Sequence, residues 1–130
     1  MLKLSPKFDF NNLFIFEVAN NHQGSLEHGL KIIREMSSIA RELGVRGAVK
    51  LQFRNIDSIM HAAYKNLKNN PYMERFISTK LSERDFEKLV DETRKEGMIT
   101  IATPFDESSV DLIQKFGIEV IKIGSPSNLD

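Results

Sequence analysis

The stretch MITIATPFDESSVDLIQKFGIEVIKIGS, residues 98–125, decides the fold. An apolar run, MITIATPF (98–105), leads straight into Asp106, a residue type that accepts a hydrogen bond from the free N–H groups of a helix start. In the following ESSVDLIQKF, Val110, Ile113 and Phe116 recur at helical spacing. Gly117 suits the left-handed stop of that helix, and a second apolar run, EVIKIGS (119–125), follows at once. Strand, helix and strand in such close succession form a βαβ unit, which implies parallel pairing with a right-handed crossover.

The same rhythm extends upstream. LFIFEVA (13–19) is an apolar run followed by the polar turn NNHQG and then by SLEHGLKIIREMSSIARELG (25–44). In that segment Leu26, Leu30, Ile33, Met36, Ala40 and Leu43 make one helical face, Ser25 caps its start and Gly44 its end. VRGAVKLQF (45–53) is the next run. Ser82 and Asp85 have the spacing of a capping box for a helix over 82–96, with Phe86, Leu89, Val90 and Thr93 on its buried face and Gly97 after it. Strands are therefore expected near 13–19, 47–53, 98–103 and 119–124, in the order β-α-β-(insertion)-α-β-α-β. Neither GxGxxG nor GxxxxGK[ST] occurs, which weakens a nucleotide-binding doubly wound sheet. Four strands in 130 residues is roughly 32 residues per unit, so eight would need roughly 260, close to the ~250 of a (β/α)8 barrel. The expected fold is α/β, with residues 1–130 forming the N-terminal half of a TIM barrel.

The insertion, 54–80, is longer than the 2–6 residues of an ordinary βα connection, and Asn69-Asn70-Pro71 is expected to break it. Its Met60, Ala62, Ala63, Leu67, Tyr72, Met73 and Phe76 are apolar enough to pack as a lid over the strand ends. The alternative is a decoration without a role at the site.

Composition narrows the function. Lys and Arg (18) balance Asp and Glu (18), so a globally basic binder of nucleic acid or anionic lipid is not expected. No stretch reaches the ~18 apolar residues of a membrane span. The absence of cysteine removes disulfides, zinc–thiolate sites and thiol catalysis. MLKLSPKFDFNN has no apolar core of signal-peptide length, and a cytoplasmic protein is expected.

Strands of a covered parallel sheet should be nearly all apolar. Three of these four carry a charge: Glu17 in FIFEVA, Lys50 in AVKLQF and Lys122 in VIKIG. Alternation assigns their faces. Val49, Leu51 and Phe53 belong against the helices, so Lys50 and Gln52 point the other way. Likewise Ile121 and Ile123 should face helices and Lys122 the interior, and Phe14, Phe16 and Val18 helices with Glu17 inside. Burying an unpaired charge costs several kcal/mol, so one acid and two lysines on one face need a purpose. An internal ion-pair network of Glu17 with one lysine is one reading. The other is an anionic ligand, a carboxylate or phosphate, held by both lysines with hydroxyls such as Thr103 and Ser125. A Schiff-base lysine, as in some barrel aldolases, is the chemical competitor. His22, after the first strand, either reaches this site or orients a polar turn. His28 and His61 read as surface or packing residues, and the three histidines form no metal-binding pattern.

These same segments resemble the sialic acid synthase family. FIFEVANNHQGS (14–25) is similar to its strand glutamate followed by an Asn-His-x-Gly turn, and AVKLQF (48–53) to its Ala-Val-Lys-Phe-Gln strand. ATPFDESSVDLI (102–113) matches its Thr-Pro-Phe-Asp segment and VIKIGS (120–125) its Lys-Ile-x-Ser segment. After that last motif the family usually has Gly-Glu, where this chain has Pro126 and Ser127. The resemblance implies condensation of phosphoenolpyruvate with an N-acetylated amino sugar to a nonulosonic acid, with release of phosphate. It implies that Lys50, Thr103, Lys122 and Ser125 hold phosphoenolpyruvate, that Glu17 is the acid/base group, and that Gln52 and His22 lie near the substrate. It further implies a divalent ion, Mn or Mg, with ligands outside this chain, and a homodimer in the full-length form with no nucleic-acid or membrane partner. The half-barrel alone is expected to be incompetent, its second half-barrel and antifreeze-like domain being absent. A Schiff-base aldolase, a non-catalytic half-barrel acting as an interaction module and a doubly wound small-ligand binder remain alternatives.

Overall fold

A computed structural model describes residues 7–59 and 71–125. The expectations resting on Met60, His61, Ala62, Ala63, Leu67, Asn69, Asn70, the side chain of Tyr72, Pro126 and Ser127 lie outside what is described. The chain runs β1 (Leu13–Glu17), α1 (Leu26–Glu42), β2 (Arg46–Phe53), α2 (Ile56–Ile59), α3 (Pro71–Ser78), α4 (Glu83–Lys95), β3 (Ile99–Pro104), α5 (Glu107–Lys115) and β4 (Val120–Ile121). The four strands form one parallel sheet in the order β1-β2-β3-β4. Each strand pairs with the next in sequence, and the helices between them cover one face. This is the architecture of the N-terminal half of a (β/α)8 barrel.

Local chemistry sets the helix ends. The Ser25 side chain accepts from the His28 N–H, Ser82 and Asp85 form the reciprocal capping box, and Asp106 accepts from the Ser109 N–H. Gly44, Gly97 and Gly117 all take positive φ just past their helices. Pro71 stands at the first position of α3. Proline lacks only an N–H that the first turn leaves unpaired, and its fixed φ is already helical.

The covered face of the sheet carries the core. Val49, Leu51 and Phe53 of β2 pack with Ile33 and Ala40 of α1, Phe86, Leu89 and Val90 of α4, and Ile113 of α5. The Phe53 ring stacks on Phe86 at 4.5 Å between centroids and meets Phe116 at 6.1 Å. Helices α1 and α4 are further tied by Arg34–Glu92 at 2.5 Å and Arg41–Glu96 at 2.7 Å.

Three expectations about this face are corrected. Phe14 is exposed, because its register partner is Gly47, which offers no side chain to pack on, and Phe16 leans over that glycine instead. Leu43 and Val110 are exposed as well: Leu43 is the cap just past α1, and Val110 lies off the buried stripe of α5, which runs through Ser109, Ile113 and Phe116. The fourth strand is two residues long rather than 119–124, and Ile121 and Ile123 are 47% and 64% exposed. Alternation assigned them to the helix side, but no described helix lies over β4.

The opposite face divides into two levels. Near the strand starts Ala48, Ile101 and Val120 cluster with Phe8, Leu13 and Ile99. Phe8 packs edge-on against Phe10 and lies under the Arg46 guanidinium, while Arg46 also donates to the Asp9 carbonyl at 2.7 Å. Phe8 thus closes the lower interior, and Asp9 and Phe10 hold it from the exposed side. Above that cluster the face turns polar, from Glu17 and Lys50 on β1 and β2 and from Thr103 on β3.

Candidate functional site

Register fixes the polar level. Glu17 pairs with Lys50, Lys50 with Ile101 and Ile101 with Val120, so these four make one row across the sheet. Gln52 pairs with Thr103 in the next row toward the strand C-termini. The Lys122 N–H bonds to the Ala102 carbonyl at 2.8 Å and continues the β3–β4 ladder, which puts Lys122 beside Thr103 in that second row. The two lysines therefore share a face but not a strand pair. They stand two strands apart, about 10 Å across the sheet, and one row apart, about 7 Å along it. Those separations lie within the combined reach of two lysine side chains converging on one multi-oxygen anion.

Lys50 is the buried member, with its side chain 15% exposed, and it donates to Glu17 Oε2 in an ion pair; Glu17 is 40% exposed. The second Glu17 oxygen accepts from the Ala19 N–H at 3.1 Å. Ala19 has φ +46°, the left-handed region, so the chain bends sharply just past β1 and brings its own amide back onto the carboxylate. The ion-pair reading of Glu17 is thus realised for Lys50. Lys122 is exposed and makes no ion pair with a described residue. Thr103 is buried and its Oγ1 has no hydrogen-bond partner among the described residues. A buried hydroxyl left in this condition costs about 1–3 kcal/mol unless something accepts from it or donates to it. Ser125 is exposed, just beyond β4, and nothing described brings it to the other four residues.

His22 is buried in the turn after β1, where its Nδ1 accepts from the Gly24 N–H at 3.1 Å. The proton of the neutral ring therefore sits on Nε2. Burial first, then the charges of Arg54 and His28, lowers its pKa and keeps the ring neutral. The turn it stiffens also abuts the insertion. A methyl group at Gly24, whose φ is +74°, would lie 2.7 Å from the Ser78 carbonyl oxygen.

Sequence reasoning missed Arg54. It follows β2 and is half-buried, with its guanidinium 4.2 Å from the centre of the Phe76 ring of α3 and 4.9 Å from that of Phe105 after β3. Its Nη2 donates to Gln52 Oε1, and its Nη1 is buried without a hydrogen-bond partner among the described residues. Burial first, then Arg75, lowers its pKa. Phe76, one of the apolar residues of the insertion, packs on this arginine. Beside it the Asn55 N–H donates to Asp106 Oδ2 at 2.6 Å, tying the exit of β2 to the cap of α5. Burial alone would raise the Asp106 carboxyl; donation from the Asn55 and Ser109 N–H groups and from the Ser108 and Ser109 hydroxyls outweighs it, and its pKa falls below 3.8.

A cleft of about 480 Å³ among the described residues lies away from this level of the sheet. It opens on the helix side between Phe53, Arg54, Lys80, Phe86 and Ser108. Among the described residues no three His, Cys, Asp or Glu side chains group closely enough to hold a metal ion, and no helix is long and apolar enough to cross a membrane.

The sequence profile of the NeuB family matches residues 36–130, most of the chain. The chain belongs to the NeuB family. Among solved structures, this NeuB-family chain is similar to one assigned as spore coat polysaccharide biosynthesis protein E of Chromobacterium violaceum, at 44% identity and TM-score 0.84 over 90% of this chain and 35% of that one. An N-acetylneuraminic acid (sialic acid) synthetase of Leptospira borgpetersenii serovar Hardjo-bovis, in complex with citrate, shares the fold at 20% identity and TM-score 0.64, over 86% of this chain and 35% of that one. An uncharacterised protein of Methanocaldococcus jannaschii is 31% identical over 111 residues, 85% of this chain and 30% of that protein. The chain spans about a third of the length of these relatives.

Proposed function

We propose that this NeuB-family chain supplies the phosphoenolpyruvate-binding half of a synthase that condenses phosphoenolpyruvate with an N-acetylated amino sugar. The product is a nonulosonic acid and the by-product inorganic phosphate. The observation that carries this reading is the upper level of the sheet: Lys50, Gln52, Thr103 and Lys122 in adjoining rows, with Glu17 beside Lys50. Family membership and the likeness to a polysaccharide biosynthesis protein support it.

In the proposed reaction, carbon 3 of phosphoenolpyruvate bonds to the aldehyde carbon of the open-chain sugar, whose oxygen takes up a proton. Water adds at carbon 2, the carbon–oxygen bond to phosphate breaks, and a 2-keto acid remains. The ammonium groups of Lys50 and Lys122 neutralise carboxylate and phosphate and stabilise the charge that grows on the leaving group. The Thr103 hydroxyl, buried and without a hydrogen-bond partner among the described residues, donates to one of the same oxygens. Glu17 takes the proton of the attacking water, and its contact with Lys50 fixes the position of the carboxylate beside the bound anion. Ser125 is assigned to the same anion from the family pattern. The divalent ion that the resemblance implies has no ligand set among the described residues, and no step above passes through one.

The test is a calorimetric titration of phosphoenolpyruvate into the protein and its Lys50→Ala and Lys122→Ala variants. Phosphate release with N-acetylmannosamine as acceptor is measured alongside. Binding lost in both variants is the expected result. Trapping of pyruvate by borohydride on Lys50 or Lys122 would replace this reading with the Schiff-base aldolase.

A further inference from the structure

The contact between Arg54 and Gln52 has a consequence for what the site can recognise. Arginine carries five N–H donors and no acceptor. A glutamine held by it must present Oε1 to the guanidinium and turn its NH2 the other way. The amide nitrogen of Gln52 has no hydrogen-bond partner among the described residues. Its register neighbour is Thr103, whose hydroxyl is also unpartnered, with Lys122 next along the row.

Arg54 is unusual for such a position. No carboxylate pairs with it among the described residues, and its plane is fixed by Phe76 from the insertion and Phe105 from the β3 loop. Arginine in so apolar a setting is normally neutralised by an acid. Here the compensation comes from two ring faces and one amide carbonyl.

We propose that Arg54 is a positioning residue that locks the Gln52 amide with its NH2 toward the site, so that Gln52 acts as a donor to an oxygen of the anionic substrate. Gln52, Thr103 and Lys122 then form a row of donors suited to carboxylate or phosphate oxygens, and poorly suited to a ligand presenting N–H or O–H groups there. The assignment rests on the phosphoenolpyruvate reading for its substrate, and deepens it.

The test is a double-mutant cycle on the full-length protein with Arg54→Met, Gln52→Ala and the pair, read as KM for phosphoenolpyruvate and kcat. Loss of one hydrogen bond to a charged oxygen raises KM roughly tenfold to a hundredfold in either single variant. Because Arg54 acts through Gln52, the pair should lose no more than Gln52→Ala alone. Additive losses would overturn the proposal. Gln52→Glu gives a second reading: it keeps its contact with Arg54 and so leaves the melting temperature at or above that of the parent, yet turns a carboxylate oxygen toward the substrate and abolishes its binding. Wild-type affinity in that variant would likewise refute the assignment. Should Arg54→Met fail to fold, Arg54→Lys takes its place, keeping the charge but losing the planar hold on the amide.

A third measurement does not depend on turnover. With inorganic phosphate as the probe, the side-chain NH2 resonances of ¹⁵N-labelled Gln52 should shift in the parent protein and not in the Arg54 variant. If phosphoenolpyruvate is not a substrate but this difference is seen, the proposed reaction fails and the role of Arg54 stands. No shift in the parent sinks the role itself.

Discussion

Replacing Lys50 with methionine separates two roles that one ion pair can play. The stem of methionine fills the space of the lysine stem, so the change removes chiefly the ammonium. Glu17 then loses one partner, but its side chain is 40% exposed and its other oxygen keeps the Ala19 N–H at 3.1 Å. Exposed pairs contribute about 0–1 kcal/mol and fully buried ones about 3–5 kcal/mol when one partner is removed. With an exposed acid and a largely buried base, the expected cost of Lys50→Met is about 1 kcal/mol, a fall of roughly 3–5 °C in Tm for a domain of this size. The effect on an anion bound at Lys50 is larger, because a charge-assisted hydrogen bond contributes about 1.5–3 kcal/mol, or roughly 10- to 150-fold in Kd. Glu17→Gln should act in the opposite sense. It strands the more buried partner, so it costs more stability, while freeing Lys50 from a competing carboxylate and leaving phosphoenolpyruvate affinity intact or improved. Thermal melts and calorimetric titrations of the two variants side by side give both quantities. A large loss of stability in Lys50→Met with unchanged phosphoenolpyruvate affinity would mean that the pair is a structural pin, and the anion site would have to be abandoned.

Two further outcomes concern the frame around the site. Gly24→Ala should cost more than about 2 kcal/mol, since a methyl group there combines a positive φ with a 2.7 Å approach to the Ser78 carbonyl oxygen; a denaturant midpoint equal to the parent's would refute the close packing of the β1–α1 turn on α3. Asp106 has a depressed pKa, so its contribution to stability is complete above its ordinary value of 3.8 and is lost as pH falls through its lower folded value. Asp106→Asn should therefore be less stable than the parent at pH 7, and the gap should close in acid; a gap constant from pH 7 to pH 2 would show that ionisation of Asp106 is irrelevant.

The fold was legible in the sequence where local chemistry and two-residue alternation act together. Ser25, the Ser82–Asp85 pair and Asp106 cap the helices they were expected to cap. Alternation separated Val49, Leu51 and Phe53 from Lys50 and Gln52 correctly, because the former pack against helices and the latter do not. It failed for Phe14, Ile121 and Ile123 for a definite reason: it tells which face a residue occupies, not whether anything covers that face. The site was half legible. Charges within apolar strands announced Glu17, Lys50 and Lys122, whereas Arg54 looked like one more polar residue at the start of a loop. Its meaning depends on Phe76 and Phe105, which only the folded chain brings to it. The role of Phe8 in closing the lower interior was equally invisible, since a single apolar residue ahead of the first strand carries no periodicity.

The two-sided build of the central strand also bears on how such a domain can diversify. In β2 the odd-numbered side chains Val49, Leu51 and Phe53 are locked among helices, while the even-numbered Lys50 and Gln52 touch mainly one another's neighbours across the sheet. Substitutions at the even positions can alter which oxygens a ligand must present while disturbing little of the packing. Substitutions at the odd positions would unsettle the frame before they changed any chemistry. Deleting one residue from the strand would exchange the two sets and send the lysine into the core. Substrate range in a protein built this way is free to drift by single replacements, but the length of that strand is not.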